Sequence, residues 1–106
     1  MTTYDKRLRR ERASINQAAR LLRGLRQIAE TDLSLAIDIL ANGWPLDYEM
    51  AREVLTDTEA FADFLEGIED WVTHSGGSPS LRRRVTRTRK LERRLEERAT
   101  LNREGA

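Results

Sequence analysis

The chain has 106 residues, of which 39% are hydrophobic and 35% charged, with no cysteine and a single histidine. This length supports one small domain with a modest core rather than a deep catalytic cleft, and the lack of cysteine excludes disulfides and thiolate metal sites. A formal net charge of +1 conceals three blocks: 8 basic against 2 acidic residues from Met1 to Ile28, 1 against 12 from Ala29 to Gly76, and 10 against 4 from Gly77 to Ala106. The blocks carry +6, −11 and +6, so a nearly neutral chain is strongly polarised.

From about Asp5 to Ala29 the pattern is that of an amphipathic helix. Leu8, Ile15, Ala18, Leu22, Leu25 and Ala29 share one stripe, with Leu21 and Ile28 at its edge. The opposite face reads Arg9, Arg12, Asn16, Arg20, Arg23 and Gln27, and holds no acid. Thr31 is the expected N-cap of a second helix to about Ala41, which has little polar surface and belongs at the centre of the domain. Asn42-Gly43 ends it, and Trp44 before Pro45 is expected to be extended. A third helix carries Leu46, Met50 and Val54 at successive i+4 positions.

Thr56 to Glu59 fits a capping box, with Thr56 at the N-cap and Glu59 at N3. The helix that follows, to about Thr73, places Phe61, Phe64, Leu65, Ile68, Trp71 and Val72 on one side, so the core is expected there. The stretch 75–80, Ser-Gly-Gly-Ser-Pro-Ser, reads as a hinge or linker. Beyond it Leu81, Val85, Thr88, Leu91, Leu95 and Ala99 form a narrow stripe on a last helix. A seam that narrow, holding Arg84 and Glu92 as well, resembles a weak coiled-coil contact.

Charge placement carries the functional reading. In the central helices the acids sit near the starts, where they complement the macrodipole, whereas both flanking helices open on cations. Asp5 can reach Arg9, Arg7 can reach Glu11, and Arg93 can reach Glu96 or Glu97 at helical spacing. Arg12, Arg20, Arg23, Arg82, Arg83, Arg84 and Arg87 have no such local partner. Their counter-charge must come from the acidic middle of the chain, from a second copy, or from nucleic acid; two C-terminal helices running antiparallel would set Arg82 to Arg87 against Glu92, Glu96 and Glu97.

Other chemistry is poorly supplied. His74, at a helix end beside glycines, fits a capping or solvated role, and the usual zinc sites are excluded. Glu66, Glu69 and Asp70 are spaced like the wet face of a helix and match no calcium loop. A helix-turn-helix over residues 33–55 would put Asp47, Glu49 and Glu53 on its recognition helix and repel phosphate. No enzyme activity, cofactor or metal is expected. The start of the chain shows no secretory signal, and Leu33 to Ala41 is far shorter than the ~20 residues of a membrane span, so a cytoplasmic location without membrane contact is expected.

The expected fold is all-α, a small bundle of four to five helices with long basic N- and C-terminal helices around an acidic core. It divides into a bundle over 1–74, with a basic helix 5–29 and acidic helices over 31–73, a linker over 75–80, and a loosely attached basic helix over 81–106 available for a homodimer. The expected activity is that of a non-catalytic regulator or adaptor docking on nucleic acid or a nucleoprotein. Its candidate residues are Arg9, Arg12, Asn16, Arg20, Arg23, Arg82, Arg83, Arg84, Arg87, Arg89 and Lys90. The alternative is a protein-binding inhibitor or antitoxin-like partner presenting Asp57, Asp63, Glu66, Glu69 and Asp70 as a nucleic-acid mimic.

Overall fold

A computed structural model describes residues 2–104, which form five α-helices: α1 (Thr3–Thr31), α2 (Leu33–Gly43), α3 (Tyr48–Thr56), α4 (Thr58–Ser75) and α5 (Ser78–Glu104). Met1, Gly105 and Ala106, the ends of two of the expected segments, lie outside the described residues. The bundle is all-α, as the periodicity indicates. Among the described residues, no helix is long and apolar enough to cross a membrane.

The core lies between α1 and α2, where Leu22, Leu25, Ile39 and Leu40 are completely buried. Fully burying such a side chain contributes about 1.5–3 kcal/mol, so these four residues supply a large part of the driving force. The third and fourth helices cover one side of this pair through Val54, Leu55, Phe61, Ile68 and Val72. Met50 does not join them. In the nine-residue α3, Ala51, Val54 and Leu55 face inward and Met50 is left exposed.

Four helices begin on a side-chain cap: Thr2, Asp32, Asp47 and Asp57 accept hydrogen bonds from amides two or three residues on. Two of these caps sit one residue later than the threonines expected at 31 and 56. A carboxylate stabilises a helix start through both its hydrogen bond and its charge, so Asp32 and Asp57 prevail over the neighbouring hydroxyls. Thr31 instead closes α1, donating to the Ile28 carbonyl at 3.2 Å. Trp44 is extended, φ −118° and ψ 111°, as the following proline requires.

The expected linker over 75–80 shrinks to Gly76 and Gly77. Gly76 takes the left-handed conformation, φ 65°, that ends α4. Gly77 is dictated by closeness: a Cβ there would lie 2.5 Å from Cε2 of Trp71. Its carbonyl accepts the Leu81 amide at 2.8 Å, so Ser78-Pro79-Ser80 is the first turn of α5, where proline needs no donor.

The last helix is not loosely attached. Leu81, Val85 and Thr88 are buried where α5 packs against α1 and α2, so the narrow stripe read as a coiled-coil seam is already occupied within the chain. Two close approaches explain how so thin a stripe suffices. Ser14 of α1 and Ser78 of α5 share a buried hydrogen bond of 2.8 Å, and Gly43 lies so near Thr88 that a Cβ would come within 2.6 Å of its Oγ1. The helices α1 and α5 run parallel: Ser14 meets Ser78, and further along Arg20 and Gly24 border the same furrow as Arg89 and Arg93.

Gly67, by contrast, is exposed in the middle of α4, and a methyl group added there would meet nothing within 4 Å. Gly67→Ala should therefore stabilise the protein by about 0.5–1 kcal/mol, read as a higher urea midpoint with an unchanged slope.

Candidate nucleic-acid interface

Burial of Leu81, Val85 and Thr88 fixes the rotation of α5, and that rotation turns Arg83, Arg87, Lys90 and Arg94 outward at spacings of four, three and four residues. These four form a ladder about 16 Å long on one helical face. A groove of about 630 Å³ runs beside it, lined by Asn42 of α2 with Arg82, Arg83, Thr86, Arg87, Lys90, Leu91 and Arg94 of α5. Its charged residues are five cations, with no carboxylate among them. A second groove of about 500 Å³ adjoins it, sharing Asn42, Arg83 and Arg87 and adding Gly43, Pro45, Ser80 and Arg84.

Three side chains of this region are held in place. The guanidinium of Arg84 lies 5.6 Å from the centroid of the buried Trp44 ring, and Trp44 itself meets Phe64 edge to face at 5.9 Å. Arg83 donates to the Ser80 hydroxyl at 3.2 Å. Asn42 donates through Nδ2 to the Asp38 carbonyl at 2.7 Å, which leaves its Oδ1 available.

The remaining candidates fall elsewhere. Arg20 and Arg89 border a furrow of about 360 Å³ between α1 and α5, together with Leu21, Gly24, Arg93, Glu92 and Glu96. Arg12, Asn16 and Arg23 line a cleft of about 310 Å³ between α1 and α4, opposite Leu65, Ile68, Glu69 and Thr73. Arg9 is exposed on α1 and lines none of these three. Arg9, Arg12 and Arg23 thus lie apart from the α5 arginines, whereas Lys6, Arg7 and Arg10 at the start of α1 border a pocket of about 330 Å³ with Arg82 of α5. The reason is that α5 packs against the flank of α1 that carries Ser14 and Leu21, so of the candidate α1 residues only Arg20, at the edge of the polar stripe, reaches it.

Among the described residues, the only ion pair within 4.0 Å joins Arg7 to Glu11, at 3.1 Å. The local pairs expected for Asp5 with Arg9, and for Arg93 with Glu96 or Glu97, are not closed. None of the seven arginines lacking a local partner finds one in the acidic middle of the chain, so the first of the three counter-charge sources is not used in this fold. Arg26, absent from the expected set, stacks on Phe61, 4.6 Å from the ring centroid.

In the furrow between α1 and α5, burial pushes the Glu92 carboxyl above its ordinary pKa, Glu96 adds to the rise, and Arg89 opposes it. A raised folded-state pKa means that the folded protein binds the proton more tightly than the unfolded chain. Stability is then greatest below the ordinary carboxylate range and falls as pH rises through the raised value. Glu92→Gln should accordingly raise the Tm at about pH 7 and leave it nearly unchanged near pH 3, a difference that thermal scans at both pH values would reveal.

Asp57, expected on the acidic surface, is engaged as the cap of α4, accepting from the amides of Glu59 and Ala60 at 2.9 and 3.3 Å. Asp63, Glu66 and Asp70 are exposed along the outside of α4, in line with Glu59, while Glu69 borders the cleft with α1. His74 caps the end of the same helix, its Nδ1 lying 3.1 Å from the Asp70 carbonyl. Arg94 and Asn42 complete the main groove; nothing in the sequence marks Asn42, which enters only because α2 ends against α5.

Comparison with protein families, with curated proteins and with solved structures found no match for this chain.

Proposed function

We propose that this chain is a non-catalytic regulatory or adaptor protein that docks on nucleic acid, alone or within a nucleoprotein, through the groove between α5 and the end of α2. The observation that carries this reading is the ladder Arg83, Arg87, Lys90 and Arg94, joined by Arg82 in a groove without carboxylates and without ion pairs. Five cations clustered on one side of a folded bundle repel one another, and a polyanion relieves that repulsion. A ladder of about 16 Å matches the axial run of about five phosphates on one strand at 3.4 Å each. Arginine, with its planar fork, suits such contacts better than lysine. The groove presents no aromatic ring for base stacking, so binding should be to the backbone and largely independent of sequence.

Fluorescence anisotropy with labelled duplex DNA and with RNA, over roughly 50 to 200 mM salt, tests this. Four to five neutralised phosphates give a log-log slope of about −3.5 to −4.5 on a duplex. No binding at the lowest salt would remove the reading.

A second reading draws on the outer face of α4. Glu59, Asp63, Glu66 and Asp70 are exposed and, among the described residues, in no ion pair, and could occupy a basic surface on a protein target as a nucleic-acid mimic would. Under that reading, reversing the charges of α4 abolishes partner binding and reversing those of α5 does not.

A further inference from the structure

The two exposed ladders have the same spacing. On α4 the acids stand at 59, 63, 66 and 70; on α5 the cations stand at 83, 87, 90 and 94, so both step by four, three and four residues. Opposite charges in identical helical register can meet rung by rung when two such helices lie side by side. They do not meet within one molecule, since α4 packs on α1 and α3 while α5 packs on α1 and α2, and among the described residues no rung of either ladder is ion-paired.

We propose that the α5 groove of one molecule receives α4 of a second copy of this chain. Charge complementarity identifies the occupant: four acids with no cation between them on one surface, five cations with no acid on the other. Shape supports close approach, because the acidic ladder is flanked by the exposed small residues Ala62 and Gly67. The interface is heterologous, joining different surfaces of the two copies. Each molecule therefore keeps one free ladder after pairing, and association continues head to tail unless the geometry closes a ring. Surface ion pairs are individually weak and strongly screened, so the assembly should be concentration-dependent and dissolve in salt. Because α4 occupies the groove assigned above to nucleic acid, the two ligands compete; that competition rests on the proposed function, whereas the self-association does not.

Sedimentation velocity on the full chain, from about 10 µM to about 1 mM at low salt and again near 1 M salt, reads the association directly. The average mass should climb with concentration at low salt and return to that of the monomer at high salt. Changing Glu59, Asp63, Glu66 and Asp70 to lysine, or Arg83, Arg87, Lys90 and Arg94 to glutamate, should weaken association at least about tenfold in either variant alone. An equimolar mixture of the two variants should recover it, because the reversed ladders are again complementary.

If circular dichroism shows that either reversed set fails to fold, the neutral set with Asp63→Asn and Glu66→Gln replaces it, with a smaller loss expected. A wild-type protein that stays monomeric throughout, or an α4 variant that associates as well as wild type, would overturn the proposal. The α4 variant should bind duplex DNA at least as well as wild type. Recovery by mixing without DNA binding sustains this inference and removes the functional reading, while DNA binding by a strictly monomeric protein does the reverse.

Discussion

Replacing Arg83, Arg87, Lys90 and Arg94 by glutamate should lower duplex DNA affinity at least about a hundredfold at roughly 100 mM salt and flatten the salt slope to near zero. The expected loss is large because each change removes a phosphate contact and adds a repulsive charge along the same ladder. The fold should tolerate it, since none of the four side chains is ion-paired among the described residues and all are exposed. Substitutions of this kind usually shift stability by less than about 0.5 kcal/mol. Arg84 is deliberately spared: its guanidinium covers Trp44, and its removal would confuse a packing loss with a binding loss. The comparison set is Arg9, Arg12, Arg20 and Arg23, which lie away from the main groove. Their reversal should weaken binding much less, by about tenfold or under, through the general field of the protein alone. Equal losses from both sets, measured by anisotropy under one salt condition, would place the interface on α1 as much as on α5.

Leu81→Ala should cost about 2–5 kcal/mol, a large share of the ~5–15 kcal/mol that holds a domain of this size together. Leu81 is completely buried where α5 begins, next to the hydrogen-bonded pair Ser14 and Ser78 and the close contact of Gly77 with Trp71. That region leaves little room for collapse around the deleted atoms. A decrease in Tm on the order of 10 °C or more, in a single cooperative transition, is the expected result. Leu101→Ala, on an exposed side chain near the C-terminal end of the same helix, should change stability by no more than about 0.5 kcal/mol. Were the last helix a tethered arm, both substitutions would be equally silent.

The helices themselves were legible from periodicity, because each of the five buries enough of one face to impose its repeat on the sequence. Their starts were less so: Thr31 and Thr56 each stand beside an aspartate that competes for the same amides, and a one-residue choice between two good caps is decided by geometry. The segment Ser78-Pro79-Ser80 misled for a different reason. Its composition is that of a linker, but serine and proline are equally suited to a first helical turn, and only the packing of Trp71 over Gly77 determines which applies. The attachment of α5 was hidden because its only buried large apolar residues are Leu81 and Val85, and the rest of the seam relies on small residues, where Thr88 against Gly43 and Ser78 against Ser14 allow close approach without bulk. In the site, the cluster Arg82 to Lys90 was plain in the sequence. Its separation from Arg12, Asn16 and Arg23 was not, because it depends on which flank of α1 each neighbour takes.

The parallel seam between α1 and α5 also governs the order in which this molecule can be assembled. Ser14 and Ser78 are 64 residues apart, and the helix that covers Ser14 and Leu21 leaves the ribosome after the other four. Helix α1 is therefore synthesised with one flank bare and keeps it so until α5 emerges. The short connections among α2, α3 and α4 allow those helices to gather early, since local contacts close quickly and distant ones slowly. Final closure then brings the two most basic helices together side by side, against their mutual repulsion. A polyanion present during synthesis would ease that step, so the charge proposed as a binding surface in the folded protein would also set the pace at which the fold closes.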